Sequence, residues 1–386
     1  MNPIDLLIIG AGPAGLSTAL HLLHINLNWG KRMLVIEKAA HPRDKLCGGG
    51  LTPFGVGVLE NLGFPFPLPL PQAPIDTARC LYSGRTFHVK GNPCFTVFNR
   101  IEFDHYLAQT ARERGVRIHE NEAALGLEFT PEGIVVTTTR DRYFAKVVVG
   151  ADGSKGITRR MIRDMYPRKS TSSQQMARTL EVIIPARQDA AQSSERLAVF
   201  DFSATRQHLQ GYVWDFPVYM NESLHSNRGI YDARTSPRRP KARLTAALRK
   251  TPGKDGTNLE TITLKGHPVH CFHPNKYFSA PRILLAGDAA GVELLLGEGI
   301  GPALGYGHAA ARELESAFTQ DDFSFTKYRR HILLSPLGWY LLWRWAAAQV
   351  AYRLSGYPWF MHILWTIAQL VSSGYNAVFV NKKRGG

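Results

Sequence analysis

Residues 4–24 read IDLLIIGAGPAGLSTALHLLH, and the change of pattern inside this stretch decides the fold. IDLLIIG is an unbroken apolar run, as a parallel strand covered on both faces requires. LSTALHLLH spaces its apolar residues by three and four, the period of a helix. The glycines between them each have a task in a dinucleotide-binding turn: Gly10 permits the tight turn, Gly12 lets backbone amides approach a pyrophosphate, and Gly15 lets the helix settle on the strand. Pro13 and Ala14 complete the turn, and the helix N-terminus that follows favours phosphate charge. A second apolar strand, RMLVIEK, ends at Glu37, which lies 22 residues beyond Gly15. That is near the spacing at which an acidic residue meets a ribose hydroxyl. Lys38, beside it, is expected on the same cofactor.

More distant segments extend the site. FNRIEFDHYLAQTARERG (98–115) carries Arg100 at the start of an amphipathic helix, KVVVGADGSKGITRR (146–160) is a strand that breaks at Asp152, and RILLAGDAAG (282–291) is another that ends at Gly287 and Asp288. Ligands of an open parallel sheet sit outside the carboxyl ends of its strands, so these separate segments are expected to line one crevice. KLCGGGLTP (45–53) puts three glycines after Cys47. Backbone without Cβ atoms gives a flat ring room to approach and adopts φ values that other residues avoid.

Together GAGPAG, Glu37, Arg100, GADGS and LLAGDAAG resemble, over about residues 4–310, the glutathione-reductase-type FAD fold shared by hydroxybenzoate-type hydroxylases, flavin halogenases and geranylgeranyl reductases. The resemblance implies FAD as cofactor, with Glu37 on the adenosine ribose, Arg100 and Asp152 beside the cofactor, and Asp288, following Gly287, on the ribityl chain or pyrophosphate. KLCGGGLTP, GYVWDFP (211–217), LKGHPVH (264–270) and GEGIGPALGYG (297–307) are similar to the geranylgeranyl reductase branch. This implies that Lys45, Cys47, Gly48 and Gly49 lie against the flavin and that the amides of Gly299 and Ile300 face its pyrimidine end. It also implies that Gly50, Tyr212, Trp214, Phe216, Pro217 and His267 contact a polyprenyl substrate. Two departures bear on the substrate: Leu294 stands where relatives often carry proline, and INLNWGKR lengthens the link between the first helix and the second strand.

As a strand, GYVWDFP turns Tyr212, Trp214 and Phe216 to one face and Val213 and Asp215 to the other. The three rings form either ordinary sheet core or the wall of a lipid-shaped cavity. Hydride does not add readily to an unpolarised alkene, so double-bond reduction needs a proton and a site that shields developing positive charge from water. Cys47 is a candidate to donate or relay that proton, or to shape the site, and the faces of Tyr212 and Trp214 are candidates to stabilise the charge.

The expected architecture is α/β. A Rossmann-like FAD-binding domain takes residues 1–75, 99–171 and 273–330, an antiparallel-sheet substrate domain takes 76–98 and 172–272, and 331–386 form a helical region. NESLHSNRGIYDARTSPRRPKAR (221–243) reads as a polar loop leading to a short helix, LTAALRK, and its basic residues as a solvated face. In the C-terminal region, five of seven tryptophans fall between 339 and 365, while Arg344, Arg353 and Gly356–Pro358 interrupt any long apolar run. Helices lying on a membrane surface, or a cap on the enzyme's own core, both fit.

The formal net charge of +15 suits nucleic acid, an anionic membrane or a phosphorylated ligand equally, and the chain carries no recognisable nucleic-acid-reading module. Four cysteines without a CxxC pair argue against a zinc site or disulfide framework, so no metal is expected. A reducing, cytoplasmic setting without a signal peptide follows, with peripheral membrane attachment. Electrons are expected from NAD(P)H docking transiently or from a reduced redox protein, because no second glycine fingerprint is present. An FAD-dependent monooxygenase, a halogenase using Lys45 and a non-catalytic flavoprotein electron carrier remain as alternatives.

Overall fold

The structure, a computed structural model, describes residues 2–166, 176–186, 196–253 and 259–384. Its first sheet is built around the four expected parallel strands, with Ile118–His119 added at one edge, in the order Ile283–Leu285, Arg142–Gly150, Asn2–Ile9, Met33–Ile36 and Ile118–His119. Leu6, Leu7 and Ile8 are wholly buried, as a strand covered by helices on both faces requires. Ile9 stands opposite both Ile36 and Gly150, and Gly150 opposite Leu285. Four strands therefore end level, each followed by one of the segments singled out above.

The helix Pro13–Ile25 packs on the helix Ile300–Gln320. Contact is close because Gly307 lacks a side chain: a Cβ there would stand 2.5 Å from the Ser17 Cβ. The Ser17 hydroxyl donates to the Leu304 carbonyl at 2.7 Å, which satisfies a polar group that burial would otherwise make costly. The lengthened link after the first helix holds a helical turn, Trp29–Arg32, whose buried Trp29 donates to the Glu315 carboxylate at 2.5 Å.

The second sheet has eight strands in the order Lys265–His270, Met176–Pro185, Ser223–Asp232, Gly211–Met220, Leu197–Asp201, Gln72–Tyr82, Arg85–Phe98 and Gly50–Leu51. All neighbours run antiparallel except Leu197–Asp201 with Gln72–Tyr82. The α/β reading holds. The boundary expected at 76 falls inside the strand Gln72–Tyr82, and Gly50–Leu51 from the first segment also joins this sheet.

One expectation is overturned. Residues 223–232 form a full strand rather than a loop. Asn221 and Glu222, both at positive φ, make the turn of a hairpin that returns along Gly211–Met220, consistent with the twist of two-residue hairpin turns. The strand looks polar because its buried polar residues are paired: Ser226 donates to Asp215, and Arg228 donates to the Thr251 carbonyl at 2.6 Å.

Three helices close the chain, Tyr328–Leu334, Pro336–Leu354 and Pro358–Arg384. Met361 and Trp365 are buried against Tyr82, Phe87 and Phe202, and Arg85 reaches across to the His362 carbonyl and the Gln369 side chain. The helices thus cap the second sheet. Their outer face leaves Trp339, Trp343, Trp359, Ile363, Ile367 and Leu370 exposed. Among the described residues, no helix is long and apolar enough to cross a membrane.

Candidate active site

Where the strands of the first sheet end, the glycine turn is held by tight packing. Gly10 has φ +110°, and a Cβ on it would stand 2.3 Å from the Ala151 carbonyl oxygen; one on Gly15 would stand 1.9 Å from the Gly10 carbonyl oxygen. Gly12 precedes the helix Pro13–Ile25 and supplies no side-chain cap, so no capping side chain satisfies the N–H groups of the first turn. Near a Cβ on Gly12 would stand a guanidinium nitrogen of Arg43, at 3.4 Å.

Glu37 is buried and accepts the Ala11 amide at 2.9 Å. Arg43, which no sequence motif marks, reaches between Glu37 at 3.7 Å and Asp104 at 3.3 Å, and among the described residues its buried Nε has no hydrogen-bond partner. Arg100 makes two bonds to Asp104, at 2.7 and 2.8 Å. Burial alone would lower the pKa of this guanidinium, but Asp104 and the neighbouring Cys47 outweigh it and hold the pKa above the usual arginine value.

A cavity of about 540 Å³ runs from this turn to the second sheet. Gly10, Gly12, Pro13, Ala14, Glu37 and Lys38 line one part, and Arg100, Asp152, Asp288, Gly299 and Ile300 continue it. Lys45, Cys47, Gly48, Gly49 and Gly50 follow, and Tyr212, Trp214, Phe216 and His267 line the far part. Three expected residues lie outside this lining. Gly15 and Gly287 act in packing; at Gly287, where φ is +63°, a Cβ would stand 2.6 Å from the Ala14 Cβ. Pro217 lies outside it too: the alternation that brings Phe216 to the cavity turns Pro217 to the opposite sheet face, with Val213 and Asp215. The Asp152 carboxylate is engaged at the start of the helix Ile157–Met165, accepting from the Thr158 amide at 3.1 Å and hydroxyl at 2.5 Å.

The triple glycine has a reason internal to the protein. A Cβ on Gly48 would lie 3.5 Å from the Phe216 ring and 3.6 Å from Trp214 Nε1; one on Gly50 would lie 3.4 Å from the Phe95 ring; Gly49, at φ +77°, would clash with the Phe98 carbonyl oxygen at 2.2 Å. The backbone around Cys47 is held from both sides. Its amide donates to Glu181 at 2.6 Å, and its carbonyl accepts from the Asn227 side chain at 2.9 Å. Asn227 in turn accepts the Trp214 indole N–H at 2.9 Å. The Gly49 amide donates to the Cys47 sulfur at 3.4 Å.

Neither Glu181 nor Asn227 belongs to a motif read from the sequence. Glu181 left one signal, a lone acid in the apolar strand LEVII. Burial pushes its carboxyl up to about 7, against the Cys47 amide and Arg100, which pull it down. Burial and then Lys45 push His267 down to about 4.

Across the cavity, three successive carbonyls of the segment after GDAAG are fastened by tyrosines. Tyr231 donates to Leu294 at 2.8 Å, Tyr352 of a C-terminal helix to Leu295, and Tyr212 to Leu296 at 2.5 Å. Glu293, wholly buried, accepts the Leu296 amide at 2.8 Å and is paired with Arg344 at 3.7 Å.

The fit to FAD rests on this geometry. Glycines leave an open cradle where strands end level, an uncapped helix N-terminus faces it, an acid stands at the end of the second strand, and a buried arginine nitrogen lacks a hydrogen-bond partner. Flavin, when bound, supplies hydride-transfer chemistry. A helix N-terminus favours the cofactor's phosphates. Strands, cradle and cavity define an FAD-dependent oxidoreductase.

The chain belongs to the FAD binding domain family, which it matches over residues 3–311. A menaquinone reductase of Mycolicibacterium smegmatis is 25% identical over 346 residues, 82% of this chain and 78% of its own length. A digeranylgeranylglycerophospholipid reductase of Methanoculleus marisnigri is 27% identical over 348 residues, 84% of this chain and 79% of its own. The crystal structure of a geranylgeranyl bacteriochlorophyll reductase-like protein from Thermoplasma acidophilum superimposes with a TM-score of 0.74 at 22% identity, covering 92% of this chain and 88% of that one. At that identity the structural likeness speaks for the fold alone.

Proposed function

We propose that the protein reduces carbon–carbon double bonds of a polyprenyl, geranylgeranyl-type lipid, using FAD and electrons from NAD(P)H or a reduced redox protein. The observation that carries this reading is that one cavity joins the FAD cradle to an apolar wall, with the Trp214 and Phe216 rings against Gly48. A long, flexible isoprenoid chain is recognised by such a surface through burial of apolar area, at roughly 25 cal/mol per Å². The relative named as a digeranylgeranylglycerophospholipid reductase supports the same substrate class.

In this reading Glu37 meets the adenosine ribose, and Asp288 meets the ribityl chain or pyrophosphate. Lys45, Gly48 and Gly49 stand beside the ring system, and the Gly299 and Ile300 amides stand at its pyrimidine end. Gly50, Phe216 and His267 contact the lipid. Tyr212 and Trp214 present π-faces to developing positive charge. The Tyr212 hydroxyl is already bound to Leu296, so this residue contributes its ring rather than a proton. Cys47 borders the reacting bond. The exposed tryptophans of the C-terminal helices, with nearby basic residues, rest on an anionic membrane surface and give the lipid a short path to the cavity.

Mass spectrometry of a mixed polyprenyl lipid pool, incubated anaerobically with reduced enzyme, tests the reading. Products heavier by two hydrogens per bond are expected. A product that forms only with oxygen and carries a hydroxyl group would make the protein a monooxygenase instead. Reduced flavin that no lipid reoxidises would leave an electron carrier.

A further inference from the structure

Glu181 sits opposite Gly229, which sits opposite Trp214, in one row across three strands. Residues paired in this way share a sheet face, so Glu181 is on the face of the aromatic wall, where it lines the cavity while only 5% exposed. Its Oε1 accepts the Cys47 amide. Among the described residues it takes part in no ion pair, and two of the cations that act on it are engaged elsewhere. Arg100 is bound twice to Asp104, and Lys265, its cross-strand neighbour on the other side, is drawn to Asp44 at 2.9 Å. Asp44 and Lys45 are the remaining charges that act on it, and His267 stands farther along the strand of Lys265. A buried carboxyl without a cation of its own favours its neutral, proton-bearing form. That form is a usable acid near neutral pH.

The step rests on the reductase reading above. Saturating one double bond forms two carbon–hydrogen bonds, one from a hydride that carries both electrons and one from a proton. We propose that Glu181 is the acid that delivers this proton to the substrate double bond. Its O–H bond breaks, the π electrons of the alkene form the new C–H bond, and a hydride, which reduced FAD would supply, fills the carbon left electron-deficient. The carboxylate that remains regains its proton from water, and a two-electron donor of the reduced nicotinamide class restores the flavin. Trp214, in the same row, lies where it faces the cationic carbon.

Glu181→Gln keeps an oxygen for the Cys47 amide and removes the acidic proton. We expect it to retain FAD with an affinity within about twofold of the parent and to slow anaerobic reoxidation of the dithionite-reduced protein by micellar geranylgeranyl glycerophospholipid at least about 100-fold, the effect usual for a lost general acid. The parent rate should fall as pH rises through the titration of Glu181, and the residual rate of the variant should lack that limb.

Infrared spectroscopy of the flavin-free protein gives a readout apart from turnover. A protonated-carboxyl band should persist into the neutral range and lose one component in Glu181→Gln, while the component from Glu293 remains. Reoxidation at the parent rate in Glu181→Gln, or an infrared titration unchanged by it, overturns the assignment. So does a pH limb that survives in Glu181→Gln and disappears in Cys47→Ala, which would place the acid on the thiol. If the parent is reoxidised by no polyprenyl lipid, the reductase reading falls and this step with it; failure in the variants alone removes only Glu181.

Discussion

The indole of Trp214 lies across Gly229, so close that a Cβ on residue 229 would stand 2.2 Å from the ring carbon Cζ2. The aromatic wall therefore owes its shape to a glycine on the neighbouring strand as much as to the rings themselves. Gly229→Ala should push the indole off its bond to Asn227 and, through Asn227, loosen the backbone at Cys47. Overpacking of this kind costs about 1–3 kcal/mol. An unfolding free energy in urea lowered by that amount, with FAD still bound and lipid turnover reduced, is the expected result; an unchanged unfolding curve would show that the sheet absorbs the methyl group.

Asp288→Ala should weaken FAD retention. Losing a hydrogen bond from a charged group costs about 1.5–3 kcal/mol, or roughly ten- to a hundredfold in affinity. Equilibrium dialysis of the flavin measures it, and stoichiometric flavin after extended dialysis would count against a cofactor contact by Asp288.

Trp359 and Ile363 lie one helical turn apart on the outer face and are 60% and 52% exposed. Changing both to serine should leave the thermal midpoint within a degree or two, because neither supports the core, while lowering sedimentation with anionic vesicles. The residual binding should fall further with added salt if basic residues contribute. Full vesicle binding by the double variant would confine these helices to capping the enzyme.

Glu293 ties pH to stability. Its carboxyl is pushed up to about 7, chiefly by complete burial, with Arg344 and two backbone amides opposing, from an ordinary value of 4.5. A folded-state pKa above the unfolded one means that the native protein binds more protons between these values. This group's stabilisation is thus full below about 4.5 and is lost as pH rises through about 7. Glu293→Gln should remove the corresponding slope, on the order of 2–3 kcal/mol, from the difference between urea unfolding at pH 5 and at pH 8. An identical pH dependence in both proteins would mean that Glu293 stays ionised throughout.

The first sheet was legible because its strands are uniformly apolar and its turns are glycine-rich, a pairing that follows directly from strands buried on both faces and a backbone pressed against its neighbours. Glu37 and Asp288 could be placed for the same reason, since Glu37 directly follows such a strand and Asp288 stands three residues beyond one. The strand Ser223–Asp232 was not legible, because Ser226 and Arg228 are buried against partners outside their own strand, 11 and 23 residues away, and composition alone reads them as exposed. Glu181 and Asn227 escaped notice on the same grounds: what marks them is contact with Cys47, at separations of 134 and 180 residues. Period-two alternation, applied strictly, would have excluded Pro217.

The three tyrosine hydroxyls on Leu294, Leu295 and Leu296 come from the aromatic strand, its hairpin partner and a C-terminal helix. A chain trimmed before Tyr352 to make it easier to handle would lose the middle fastening and uncover Tyr82 and Phe87. The helical region whose outer face carries the exposed tryptophans is therefore also a strut of the cavity, and the two cannot be engineered as separate modules.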